Sequence, residues 1–135
     1  MEIDSQGYVE IQENFPDTHY ILYKNKQYPI KSDFFRISSN YFKKYEHIFE
    51  ENKIIKLVED ENHIDFDFTE EIILSFIDYV QHKRTPINPD NAIGLNYLSN
   101  RFEVKSLLDI TNKYIFKHQK EFPIDIIIMN QNDEN

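Results

Sequence analysis

A chain of 135 residues with 40% hydrophobic and 15% aromatic side chains can bury one core as a single domain, and its composition excludes global disorder. A formal net charge of -9 argues against a phosphate-binding face and against adsorption to anionic membranes. The chain has no Cys, which removes disulfides, thiolate nucleophiles and thiolate metal sites, and fits an intracellular, cytoplasmic or nuclear setting.

Residues 1–16 form a polar N-terminal arm in which only Tyr8-Val9-Glu10-Ile11 alternates like a strand. No signal-peptide pattern and no apolar run of membrane-spanning length occurs. Residues 20–23 are strand formers, Asn25-Lys26 supplies a turn, and residues 27–30 return, with Pro29 pointing to an edge. Ser32 is placed to cap a short helix over residues 33–37, and a second helix is expected from Ser38 or Ser39. In that second helix Tyr41, Phe42, Tyr45, Ile48 and Phe49 recur at helical spacing on one face.

Residues 54–58 read as a short apolar strand. Ile64, Phe66 and Phe68 alternate with Asp65 and Asp67, as an extended segment or as a loop pinned by alternate side chains. Thr69 followed by Glu70-Glu71 opens a helix that Pro86 forbids from continuing, with Ile72, Ile73, Phe76, Ile77 and Val80 on its apolar face. Asn88-Pro89 opens the next helix, whose Ala92, Leu95, Leu98 and Phe102 face inward. After a break at residues 101–103, a last amphipathic helix is expected over residues 104–118. The apolar run 124–129 either folds back on the domain or serves as a docking segment.

Chemistry-bearing groups are sparse. The five His residues show no pair at metal-ligand spacing, so no metal and no cofactor is expected. His63, Asp65 and Asp67 would share one strand face, an arrangement that could bind a hard cation through oxygen and that solvated positions opposite Ile64, Phe66 and Phe68 explain as well. With only Gly7 and Gly94, a phosphate-cradling loop is not available. Ser32, Ser38 and Ser39 read as helix caps. Nothing in the pattern points to an enzyme. Phe34 and Phe35 are neighbours and point roughly 100° apart on a helix, so one enters the core while the other is a covered neighbour or meets a second subunit.

The order strand, strand, short helix, helix, strand and three helices, carried on these residues, resembles a BTB/POZ domain of the Skp–elongin–POZ superfold. Tyr28, Phe35, Ser39, Tyr41 and Phe42 fall on the family's F-x-x-H-x-x-x-L-x-x-x-S-x-Y-F pattern, and Phe76-Ile77-Asp78-Tyr79-Val80 on its third helix. Ala92, Leu95, Leu98, Phe102, Val104 and Leu107 follow its A-x-x-L-x-x-L-A-x-x-F-x-V-x-x-L pair. Lys31 replaces the pattern's His, and residues 81–84 lack its Thr-Gly turn. The resemblance implies an α+β fold, a small mixed sheet of about three strands packed against about five helices. It divides the chain into an arm at 1–16, a domain at 17–119 and an extension at 120–135. It further implies a non-catalytic protein–protein interaction domain that homodimerises, or an adaptor of a cullin-type ubiquitin ligase. Phe34, Phe35, Tyr41, Tyr8 and Val9 are then expected at a dimer interface, the latter two as a swapped strand. Phe49, His82, Lys83, Arg84, Ile126 and Met129 are expected to meet other partners. A small enzyme or ligand-binding protein is the reading from a different class.

Overall fold

The computed structural model describes residues 19–58 and 66–122, and in them three strands and five α-helices. The candidate arm residues Tyr8 and Val9, and Ile126 and Met129 of the extension, lie outside the described residues. Strand β1 (His19–Tyr23) sits at the centre of the sheet, antiparallel to β2 (Lys26–Ile30) and parallel to β3 (Ile54–Lys56). Ile21 and Tyr23 of β1 and Tyr28 and Ile30 of β2 point into the core, the period-two alternation of a sheet covered on one face.

The hairpin turn is Lys24-Asn25, one position earlier than the sequence suggests. Both residues have positive φ, 49° and 65°, as a two-residue turn matched to strand twist requires. Counting out from that turn, Pro29 opposite Tyr20 falls in a non-hydrogen-bonded pair on an edge strand, where its missing N–H costs no ladder bond.

Helix α1 (Ser32–Ser38) follows at once. Ser32 is its first residue and not its cap, a correction: the capping position is Lys31, which makes no side-chain cap bond. The Lys31 backbone N–H instead donates to Gln81 Oε1 at 2.9 Å, tying the start of α1 to the end of α3 (Glu70–Val80). Helix α2 (Asn40–Tyr45) is capped as expected by Ser39, whose hydroxyl accepts the Phe42 N–H at 2.9 Å. It ends sooner than its apolar spacing implies and gives way to a 3₁₀ turn, Glu46–Phe49. The change of helical pitch splits the expected single face: Phe42 is fully buried, while Tyr45 and Ile48 are exposed.

Thr69 caps α3 through the Ile72 N–H at 3.2 Å, and all five expected apolar residues of that helix are buried. Helix α4 (Ala92–Arg101) begins later than Asn88-Pro89. Residues 88–91 close instead into a turn, in which Asn88 and Asn91 each accept the other's backbone N–H, at 3.0 and 2.9 Å. Helix α5 (Lys105–Lys117) pairs with α4 across a buried polar contact, where Asn96 Nδ2 donates to Thr111 Oγ1 at 3.0 Å and Asn112 Oδ1 at 2.7 Å. Phe66 and Phe68 belong to a loop, Phe66 stacked on Tyr97 and Phe68 edge-on to Tyr23.

Helices α3 and α4 end alike. His82 and Glu103 hold φ of 64° and 53°, and the next N–H in each case, Lys83 and Val104, reaches back to Asp78 and Ser99 carbonyls at 2.8 Å. These are Schellman closures with His and Glu in the left-handed position that Gly usually fills. The turn after α3 therefore keeps its backbone geometry although the sequence lacks a Gly there.

Candidate interaction surface

The core takes up both adjacent aromatic residues of α1. Phe35 is wholly buried, with its ring 4.9 Å from Phe42 and 5.5 Å from Phe102 by centroids, and edge-on to Phe76. Phe34 retains only 7% of its surface and leans against the His82 ring at 5.6 Å. Within the chain both rings are taken up by the core, so little of either is left on the surface of α1. The reason is local: α1 packs against α2, α3 and the closure after α3, so its inner faces are covered.

The exposed apolar residue of α1 is Ile37, at 65%. It lies two positions beyond Phe35, on the opposite side of the helix, so its exposure follows from burial of Phe35. Arg36 fixes the helix beside it. The Arg36 guanidinium pairs with Asp33 at 2.8 Å and donates through Nε to Glu46 Oε1 at 2.7 Å, with a second, shorter contact to Glu46 from Nη2. The guanidinium holds the Glu46 carboxyl below its usual range, and the two acids keep Arg36 charged.

A second apolar region lies around the 3₁₀ turn. Tyr41, Tyr45, Ile48, Phe49, Ile54, Ile55, Lys56 and Arg101 line a groove of about 500 Å³. Tyr41 is half-buried, with the Arg101 guanidinium 4.6 Å above its ring and Tyr45 at 4.8 Å. Phe49 stacks on Phe42 with nearly parallel rings 6.2 Å apart, and its carbonyl accepts a 3.2 Å bond from His19 Nε2. Burial pushes the His19 imidazole below its ordinary pKa, against the opposing effect of the Phe49 carbonyl. Tyr41 and Phe49 thus come together, as members of one groove.

His82, Lys83 and Arg84 are exposed on the closure after α3, away from that groove. Asp67, once a candidate oxygen ligand, accepts from Tyr23 Oη at 3.0 Å and pairs with Lys24, which lowers its carboxyl pKa. His63 and Asp65 lie outside the described residues, and among those described no three His, Asp or Glu side chains converge on a metal-sized point. Leu74, Ile110 and Phe116, on α3 and α5, are further exposed apolar residues that helical periodicity assigns to no inward face. No helix among the described residues is long and apolar enough to cross a membrane.

No protein-family model matches the chain, and no curated protein sequence does. Among solved structures it is similar to the BTB (Tramtrack and Bric a brac) domain of human gigaxonin, with a TM-score of 0.60 and 11% sequence identity, over 80% of this chain and 84% of that one. A likeness at this identity establishes the fold: the chain has a BTB-like α+β architecture, a three-stranded mixed sheet with five helices.

Proposed function

We propose that this chain is a non-catalytic protein–protein interaction domain that self-associates as a homodimer through α1 and recruits further proteins elsewhere on its surface. The observation that carries the reading is Ile37, a large apolar side chain left 65% exposed on a helix that is otherwise locked in place. The Lys31–Gln81 bond fixes one end of α1, and the Arg36 pairs with Asp33 and Glu46 fix its outer side. A rigid helix presenting an apolar residue supports association without an ordering cost. The BTB-like fold supports the same reading, as an analogy.

In a symmetric dimer each α1 meets its own copy, so one substitution acts twice. Burying the exposed part of two Ile side chains contributes about 2–4 kcal/mol, so Ile37→Asp raises the dimer dissociation constant by roughly one and a half to three orders of magnitude. The test is solution mass by size-exclusion chromatography with light scattering across a concentration series. The wild type is expected near twice 16.4 kDa, and Ile37→Asp near one mass with an unchanged thermal melt. A wild type that stays monomeric, or a variant that stays dimeric, refutes self-association through α1. Phe34→Asp is the poorer probe, because Phe34 is buried and a carboxylate there unfolds the helix packing.

A further inference from the structure

We propose that Thr85 is a phosphorylation site for a proline-directed Ser/Thr protein kinase, and that the phosphate it receives neutralises the exposed cations Lys83 and Arg84. Nothing in it depends on self-association through α1, which the Ile37→Asp measurement reads separately.

Thr85 lies on the irregular segment 81–91 that joins α3 to α4. Among the described residues, every other Ser and Thr lies within a helix or caps one. A kinase cleft takes its substrate as an extended strand, so a hydroxyl on a helix has to be unwound first and Thr85 does not. Pro86 follows it directly. The proline ring disfavours the helical region for the residue before it, which biases Thr85 toward extended backbone. The same proline supplies selectivity, because a pocket built for a residue without an N–H leaves any other residue there with an unpaired donor.

Little holds the hydroxyl back. Thr85 Oγ1 reaches the Lys83 carbonyl at 3.2 Å and the Ser75 carbonyl at 3.5 Å, both long, and its single proton serves one of them at a time. Thr85 is half-buried, with Lys83, Arg84 and Pro86 exposed around it. The segment is anchored on either side, where the Lys83 N–H donates to the Asp78 carbonyl at 2.8 Å and Asn91 Nδ2 to the Pro86 carbonyl at 2.9 Å. Opening the second of these ties lets residues 84–87 lift away from α3 while the helix itself stays closed.

In the transfer, Thr85 Oγ1 attacks the γ-phosphorus of ATP. The new O–P bond forms as the bond to the β-phosphate oxygen breaks, ADP leaves, and the hydroxyl proton passes to the catalytic Asp of the kinase. The product carries a charge of about -1.5 to -2 at neutral pH and no longer donates to either carbonyl. Lys83 and Arg84 stand beside it, and neither holds an ion pair among the described residues. The phosphate takes up these two cations and cancels the positive charge of the turn after α3.

The full chain incubated with magnesium, ATP and a purified proline-directed kinase tests this by intact mass. One phosphate per chain is expected, placed on Thr85 by fragmentation. Thr85→Ala should take none, and Pro86→Ala should be modified roughly tenfold more slowly or worse, both with unchanged melts. A native chain that takes no phosphate, or takes it only after heating, overturns the proposal. So do phosphate on another residue and indifference to Pro86→Ala. Phosphorus NMR then reads the pairing: beside two cations the second phosphate pKa should fall below its ordinary value of about 6, and replacing both Lys83 and Arg84 by Ala should return it there. A wild-type value at or above about 6 overturns the neutralisation.

Discussion

Ser39→Ala removes a single oxygen and tests how the helical layers are joined. The Ser39 side chain is fully buried and makes two bonds at once, accepting the Phe42 N–H at 2.9 Å and donating to the Phe102 carbonyl at 2.6 Å. The first bond caps α2, and its loss costs about 1 kcal/mol. The second spans 63 positions of sequence and satisfies a carbonyl at the end of α4, and leaving that group unpaired costs about 1–3 kcal/mol. The two effects share one atom, so the expected total is about 2–4 kcal/mol, a large part of the stability of a typical domain. At this chain length, that corresponds to a melting temperature lower by roughly 10 °C. Urea titration followed by circular dichroism measures it, with an unchanged slope as the sign that the folded state is otherwise intact. Ser38→Ala is the matched control, since the Ser38 hydroxyl makes only a 3.4 Å contact to the Val80 carbonyl. A loss under about 0.5 kcal/mol for Ser39→Ala, or one equal to that of the control, would show that the buried hydroxyl does not join α2 to α4.

Three further substitutions follow from the same geometry. His82→Gly should stabilise the fold by about 0.5–1 kcal/mol by chemical denaturation, because it relieves a left-handed backbone at the α3 closure; the lost contact with the Phe34 ring keeps the gain modest. Gly94→Ala should destabilise by about 1–3 kcal/mol, since a Cβ there meets Ile72 Cδ1 and Cγ2 at 2.7 Å, and Ile72→Val should restore part of the loss in the double variant. Burial lowers the His19 pKa from 6.5, so the unfolded chain binds the proton first as pH falls. The contribution of neutral His19 is complete above about pH 6.5 and declines below it, until the folded-state value is passed. His19→Gln should flatten a plot of unfolding free energy against pH just below 6.5. The slope that Glu46 and Asp67 add, both with lowered carboxyl pKa values, should remain at lower pH.

Much of this architecture is written in local patterns. Thr69 and Ser39 announce their helices because a side-chain oxygen near the first N–H groups is a short-range requirement. The five apolar residues of α3, and Ala92, Leu95, Leu98 and Phe102 of α4, are legible because burial follows the 3.6-residue period. Pro29 marks an edge because it lacks a donor. The order of these elements, with the residues that carry them, is enough to suggest the fold that the solved BTB domain shares.

The interaction surface is another matter, because exposure is a property of what packs over a residue. The apolar spacing of residues 41–49 is the same whether the helix continues or tightens into a 3₁₀ turn. Only the tertiary structure places Phe42 inside and Ile48 outside. The pair Phe34-Phe35 is likewise ambiguous in one dimension. The end of α3 comes close enough to cover Phe34 with His82, and that moves the exposed apolar position of α1 to Ile37. The groove draws on α2, the 3₁₀ turn, β3 and the last residue of α4, so no sequence window contains it. Sequence by itself determined the elements, their caps and their inward faces, all set by interactions within a few residues. The tertiary structure decided which apolar side chains are left over, because that depends on how distant elements divide a finite core.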